Sequence, residues 1–98
     1  MKSISANEVK EKLLNNEQLH IIDVREAEEV QLGKIPNAVH IPLTLLEFRM
    51  HELDRNIPYI VVCRSGNRSG LAVQLLTSYG FNATNMVGGM QAWDGPVD

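Results

Sequence analysis

The run Tyr59-Ile60-Val61-Val62 constrains the fold of this chain more than any other segment. Four consecutive apolar residues lack the alternation of a half-exposed strand, so they indicate a β-strand that is covered on both faces. We predict this strand over 57–62, with Pro58 tolerated near its start. An amphipathic helix follows, whose apolar positions Ala72, Leu75, Leu76 and Tyr79 have helical spacing. A doubly covered strand beside such a helix favours an α/β architecture.

The rest of the chain repeats this alternation of strand and helix. Further strands are predicted over 19–24, 38–41 and 85–87, and further helices over 6–15, 26–32 and 46–53. Ser5 and Glu8 have the spacing of a capping box for the first helix. Gly80 is placed as the left-handed C-cap of the helix that follows residue 70, with Phe81 making the accompanying apolar contact. We therefore expect a mostly parallel sheet in a single domain over 1–98.

Composition excludes several classes of function. The net charge of −3 argues against a dedicated nucleic-acid-binding protein. The single cysteine excludes an internal disulfide and a zinc site built on several thiolates, and no metal or cofactor is expected. No apolar run is long enough for a signal peptide or a membrane span, so we expect a cytoplasmic protein without a membrane partner.

The single cysteine follows the apolar strand predicted over 57–62, at the edge of the sheet where open α/β folds bind ligands. Cys63 begins a polar segment, Cys63–Ser69, which we name the cysteine loop. The helix after this loop has free backbone N–H groups at its start, and these bind anions. Gly66 and Asn67 can adopt backbone angles that turn successive N–H groups inward. The loop therefore predicts an anion-binding cup around a thiol.

The charges of the cysteine loop indicate a reactive thiol. A helix N-terminus and the nearby Arg64 and Arg68 would lower the pKa of Cys63 and favour the thiolate. A cysteine at the end of a buried strand is more often an inert apolar residue. However, a cationic segment packs poorly against an apolar core, and arginine suits the recognition of oxyanions. Suitable substrates are anionic and electrophilic: thiosulfate, a persulfide, a phosphate ester or arsenate.

At this point four segments, in order along the chain, resemble the rhodanese family. Ile21–Glu26 resembles the family's "DVRE" strand end, and Gly33–Pro42 resembles its "GHIPGAxxIP" segment, with Lys34 and Asn37 as departures. Cys63–Arg68 resembles the family's six-residue active-site loop, and Gly88–Trp93 resembles its closing "GGxxxW". The resemblance implies a rhodanese-like α/β fold: a five-stranded, mostly parallel sheet with helices on both faces.

The resemblance also implies sulfur transfer in two half-reactions. Cys63 would attack the outer sulfur of a small anionic donor such as thiosulfate and become a persulfide, and a thiol, cyanide or a sulfur-relay protein would then remove that sulfur. Arg64 and Arg68 would steer the donor. Negative charge on the sulfur would be stabilised by the substrate-binding residues of the loop, namely Arg64, Ser65, Gly66, Asn67, Arg68 and Ser69.

Asp23 and Arg25 are interpreted as structural support for this site. An acidic side chain directed into an anion cup would weaken donor binding, so we expect Asp23 to cap the turn at 25–27 and to form an ion pair with Arg25. The neighbouring acidic group Glu26, Glu28 and Glu29 is interpreted as a solvated first helical turn. Trp93 is assigned to core packing.

Three other functions remain open. Phosphatases that share this fold have a longer loop with a C-x5-R pattern, whereas Cys63 and Arg68 give C-x4-R and a narrower cup. An arsenate reductase that resolves its own intermediate needs a second cysteine, which this chain lacks. A non-catalytic binding or regulatory module with the same fold would usually have lost the cysteine.

Overall fold

A computed structural model describes residues 1–98. The strands are β1 Ser3–Ser5, β2 Ile21–Asp23, β3 Val39–His40, β4 Pro58–Val62 and β5 Asn82–Val87. The helices are α1 Ala6–Leu14, α2 Ala27–Val30, α3 Leu43–Arg49 and α4 Asn67–Ser78. Two short 3₁₀ segments follow α3 and β5, at Met50–Glu52 and Gly89–Ala92. No helix is both long enough and apolar enough to cross a bilayer.

The five strands form one parallel sheet in the order β1-β5-β4-β2-β3, which confirms the predicted architecture. The apolar strand β4 lies at the centre, with Val61 in register with Ile22 on one side and with Asn85 on the other. Its carboxyl end therefore lies between the ends of two neighbouring strands. This is where Cys63 begins its loop.

Helices cover both faces of the sheet, as predicted. Val61 belongs to one apolar cluster, with Leu46 of α3 and Leu76 of α4. Val62, the next residue, belongs to a second cluster with Val9 of α1. Successive side chains of a strand point to opposite faces, so the unbroken apolar run of β4 supplies both cores. Burial on both faces fixes the strand end from which the cysteine loop starts.

The predicted C-cap of α4 is present, and the predicted capping box of α1 is half formed. Gly80 has a φ of +87°, and its N–H donates to the carbonyl of Thr77 at 3.0 Å. The N–H of Phe81 donates to the carbonyl of Leu76 at 3.0 Å, which completes a Schellman motif. At α1, Ser5 Oγ accepts the N–H of Glu8 at 3.0 Å without the reciprocal bond. A capping box lies at α2 instead, where Glu26 is the N-cap residue and Glu29 is the third residue of the helix.

Asn37 explains how one departure from the family pattern is tolerated. Its φ is +66°, in the left-handed region, where the pattern has glycine. Asparagine enters this region more readily than other residues with a side chain. The turn that leads into β3 therefore keeps its shape without glycine.

Candidate active site

Cys63 lies directly after β4, and its side chain is fully buried. Its Sγ accepts the backbone N–H of Gly66 at 3.0 Å and lies 3.2 Å from the hydroxyl oxygen of Ser69. Burial by itself raises the pKa of the Cys63 thiol, but hydrogen bonds from the Ser69 side chain and from backbone N–H groups of the loop outweigh it. The net effect lowers the pKa, so the thiolate persists to a lower pH than that of an ordinary cysteine.

Gly66 supplies the backbone geometry that brings an N–H group to the sulfur. It precedes α4 with a φ of +104°, a conformation that favours glycine. Asn67 was also expected to take an unusual conformation, and that expectation is wrong. Asn67 is the first residue of α4 and does not have a positive φ. The inward turn of the loop therefore depends on one residue rather than two.

Asn85 of β5 holds two parts of the cysteine loop together. Its Nδ2 donates to the carbonyl of Gly66 at 3.2 Å, and its Oδ1 lies 2.5 Å from the hydroxyl oxygen of Ser69, whose single proton has Oδ1 and the Cys63 Sγ as alternative acceptors. A carbonyl can only accept, so the amide must present its nitrogen to Gly66 and its oxygen to Ser69. Asn85 was not predicted as a site residue, because an asparagine in a strand carries no distinguishing pattern.

The glycine turn, Gly88–Ala92, supports the cysteine loop from behind. The N–H of Met90 donates to the carbonyl of Cys63 at 2.8 Å, and the N–H of Gln91 donates to the carbonyl of Arg64 at 2.9 Å. A trans peptide carries its C=O and N–H on opposite sides. Holding these two carbonyls on the turn therefore directs the N–H groups of Arg64 and Ser65 away from it. The turn sets the orientation of the loop's donors.

Asp23 and Arg25 form the expected ion pair at the carboxyl end of β2. Both are buried, with 1 % and 6 % of their surface exposed. Arg25 Nη2 donates to Asp23 Oδ2 at 2.8 Å, and the backbone N–H of Arg25 donates to Asp23 Oδ1 at 3.0 Å. Arg25 also donates to the carbonyl of Gly33 at 2.8 Å. The pair braces the segment that follows β2, and its two charges offset one another.

Arg68 is bound to an acidic side chain that was expected to be only solvated. Its Nη1 and Nη2 donate to Glu29 Oε1 and Oε2 at 2.6 and 2.7 Å. These side-chain hydrogen bonds lower the pKa of Glu29 to about 2, so the carboxylate stays charged throughout the neutral range. Glu29 does lie in the first turn of α2, as predicted, but its side chain is paired with Arg68 rather than only solvated. The charge of Arg68, expected to steer a donor, is already compensated.

Arg64, Ser65 and Asn67 are the exposed side chains of the cysteine loop. The guanidinium of Arg64 makes no hydrogen bond or ion pair. It lies at the edge of an open cleft of about 530 Å³. The other residues of the cleft are Arg25, Glu29, Leu32, Gly33, Met90, Trp93 and Val97. Trp93, assigned to core packing, packs against the second core with part of its surface and lines the cleft with the rest.

Ser69→Ala is expected to slow the reaction of Cys63 with iodoacetamide about tenfold at neutral pH. A hydrogen bond to a charged group contributes roughly 1.5–3 kcal/mol, and each 1.4 kcal/mol is a factor of ten in the thiolate equilibrium. Alkylation rates measured across pH give the pKa of the thiol directly. Ser78→Ala is the control, because Ser78 donates to the carbonyl of Leu75 at the far end of α4. Equal pH profiles for the wild type and Ser69→Ala would show that Ser69 does not lower the pKa of Cys63.

Comparison with known proteins agrees with this geometry. The family model of the rhodanese-like domain matches residues 5–95. The Bacillus subtilis (strain 168) protein named "Putative sulfurtransferase YtwF" is 45 % identical over 95 residues, covering 97 % of this chain and 92 % of that protein. The same organism's "Putative sulfur carrier protein YrkF" is 41 % identical over 96 residues, covering 97 % and 52 %. The crystal structure of a rhodanese-like domain protein from Staphylococcus aureus superposes with a TM-score of 0.94 at 39 % identity, covering 100 % and 97 %.

The chain therefore belongs to the rhodanese-like domain family. Relatives that align over nearly its whole length include proteins named as sulfurtransferases, which supports membership of a sulfurtransferase family.

Proposed function

We propose that this protein is a sulfurtransferase that carries sulfur as a persulfide on Cys63. The observation that carries the proposal is the environment of Sγ: a buried sulfur that accepts an N–H at 3.0 Å, with its pKa lowered by loop hydrogen bonds that outweigh the opposing effect of burial. Such surroundings stabilise negative charge on sulfur before and after transfer. Names of relatives as sulfurtransferases support the same reaction.

The first half-reaction loads the cysteine. The Cys63 thiolate attacks the outer sulfur of a sulfane donor, a new S–S bond forms, and the old S–S bond breaks. With thiosulfate the leaving group is sulfite, which keeps the electron pair of the broken bond. The product is the Cys63 persulfide anion. Its outer sulfur would lie among the backbone N–H groups of residues 64–69.

The second half-reaction needs an acceptor from outside the chain. Cys63 is the only cysteine, so no second thiol of this chain can discharge the persulfide. A thiol or cyanide attacks the outer sulfur, and Cys63 leaves as a thiolate. The name of the relative YrkF as a sulfur carrier supports a protein acceptor in a sulfur relay.

Mass spectrometry of the intact protein tests the loading step. Incubation with thiosulfate, or with a small alkyl persulfide, is expected to add one sulfur atom that cyanide or a thiol then removes. The rival functions predict another result: a phosphatase would release phosphate from an aryl phosphate, and a binding module would do neither. A separate sample treated with iodoacetamide shows whether Cys63 is reduced and reactive. If it is, an unchanged mass after incubation with each donor would overturn the proposal.

Arg64→Ala is expected to raise the KM for thiosulfate about threefold and to change the stability little. Arg64 is exposed and has no partner, so its charge is free to attract an anion, and exposed charges contribute at most about 1 kcal/mol. Steady-state kinetics with cyanide as acceptor measures the change. Lys12→Ala on α1 removes the same charge away from the site. Similar KM values for the wild type and Arg64→Ala would exclude a steering role.

A further inference from the structure

The arginines around Cys63 provide less positive charge than the sequence indicates. Arg25, Arg64 and Arg68 all lie at this edge of the sheet, but two of them are paired with carboxylates. Arg25 is paired with Asp23, and Arg68 is paired with Glu29. Arg64 is the one guanidinium of the three that keeps an uncompensated charge. The site is therefore less cationic than a loop with two arginines would suggest.

Glu29 is held in the position where it neutralises Arg68. Its Oε1 accepts the backbone N–H of Glu26 at 3.0 Å as well as Nη1 of Arg68 at 2.6 Å. The two side chains are 27 % and 33 % exposed, so solvent screens this pair only in part. Because both terminal nitrogens of Arg68 donate to one carboxylate, the planar guanidinium is turned toward α2.

Arg68 directly precedes Ser69, whose hydroxyl oxygen lies 3.2 Å from the sulfur of Cys63. Hydrogen bonding to Glu29 is the main reason that the pKa of Arg68 is raised, and the negative charge of Cys63 raises it further. Glu29 also lines the open cleft that Arg64 borders. An anion that enters this cleft therefore meets one uncompensated cation, Arg64, and the neutral ion pair of Glu29 with Arg68.

We propose that Glu29 is a specificity-determining residue, which makes the site favour sulfur donors of single negative charge over dianionic donors. This inference rests on the proposed sulfurtransferase activity. A persulfide or a thiosulfonate brings one negative charge, which Arg64 can compensate. Thiosulfate brings two, and the second has no free cation because Arg68 is compensated by Glu29. We therefore expect the site to use persulfides and thiosulfonates more efficiently than thiosulfate.

Two donors that differ by one charge make the test specific. Thiosulfate and the methanethiosulfonate anion both transfer their outer sulfur to the Cys63 thiolate with cleavage of one S–S bond. The leaving groups are sulfite, with two negative charges, and methanesulfinate, with one. The measured quantity is the ratio of kcat/KM for thiosulfate to kcat/KM for methanethiosulfonate, with cyanide as acceptor.

Glu29→Gln is expected to raise this ratio about fivefold, because it leaves the charge of Arg68 uncompensated, a net gain of one positive charge. Glu28→Gln is the matched control: Glu28 is exposed on the same short helix without an ion pair, and the ratio should change less than twofold. Glu29→Asp, which keeps the charge, should keep the wild-type ratio. The double variant Glu29→Gln with Arg68→Gln should return the ratio to near the wild-type value, because it removes the freed charge.

Failure of this inference differs from failure of the proposed function. If the wild type gains sulfur from neither donor, the sulfurtransferase proposal is overturned and this inference with it. If the wild type turns over but folded Glu29→Gln keeps the wild-type ratio, only the role of Glu29 is overturned. Thermal unfolding identifies a variant that does not fold. Glu29→Ala then provides the same test, because removal of a partly exposed side chain leaves little cavity.

Discussion

Cys63→Ser is expected to lower sulfur transfer by a factor on the order of 10³ or more, because removal of a nucleophile eliminates the covalent route. A serine hydroxyl is not ionised at neutral pH and forms no persulfide. The fold should remain, since the serine oxygen is a smaller atom that can accept the same N–H of Gly66. Turnover with thiosulfate and cyanide measures the activity, and urea unfolding measures the stability, which we expect to change by about 1 kcal/mol.

The intact mass distinguishes this mechanism from simple binding of the donor. Cys63→Ser protein should gain no sulfur under conditions in which the wild type gains one atom. Cys63→Ala is a second variant without any hydroxyl, and it should behave in the same way. Turnover that survives in both variants would mean that sulfur moves directly from donor to acceptor, without a protein persulfide.

Gly89→Ala is expected to destabilise the protein by about 2–4 kcal/mol and to reduce kcat/KM at least tenfold. A Cβ at residue 89 would lie 2.5 Å from the carbonyl oxygens of Cys63 and Arg64, so the backbone must shift. Its φ of +58° adds a cost of about 1–2 kcal/mol for a residue with a side chain. The shift would move the carbonyls that Met90 and Gln91 hold, and with them the N–H groups of the cysteine loop. Urea unfolding and steady-state kinetics measure the two effects.

Gly88→Ala separates loss of stability from loss of the loop geometry. Gly88 also has a positive φ, of +84°, and a Cβ there would lie 2.8 Å from the side chain of Ala92. That contact is made with the glycine turn itself and does not involve the cysteine loop. We therefore expect a loss of stability similar to that of Gly89→Ala, with kcat/KM closer to the wild type. Equal losses of kcat/KM in the two variants would contradict a positioning role for Gly89.

The central part of the fold could be predicted from the sequence because its signals are local. The apolar run of β4 and the helical spacing of α4 are each complete within a few residues, and the cap at Gly80 lies beside them. β1 was not predicted: Ser3–Ser5 has one apolar residue, and these residues form a strand only because they pair with β5. The beginning of β5 was missed for the same reason, since Asn82 has low strand propensity and is paired with Pro58 of β4.

The candidate site likewise combines positions that depend on neighbouring residues with contacts between segments that are distant in sequence. The sequence placed Cys63 at a strand end and Gly66 near a helix start, because both positions depend on neighbouring residues. The ion pair of Glu29 with Arg68 spans 39 positions, and no pattern within either segment predicts it. Asn85 approaches Ser69 only because β5 lies beside β4. The position of Cys63 could therefore be predicted from the sequence, whereas the positive charge around it was overestimated.

The arrangement of strand lengths has a consequence for crowded solutions. The two edge strands, β1 and β3, have three and two residues, whereas two of the three inner strands, β4 and β5, have five and six. Unpaired N–H and C=O groups of an edge strand are the template on which other chains add to a sheet. Edges this short offer few such groups in a row. The protein thus keeps its most aggregation-prone sequence, the apolar run of β4, two strands away from either edge.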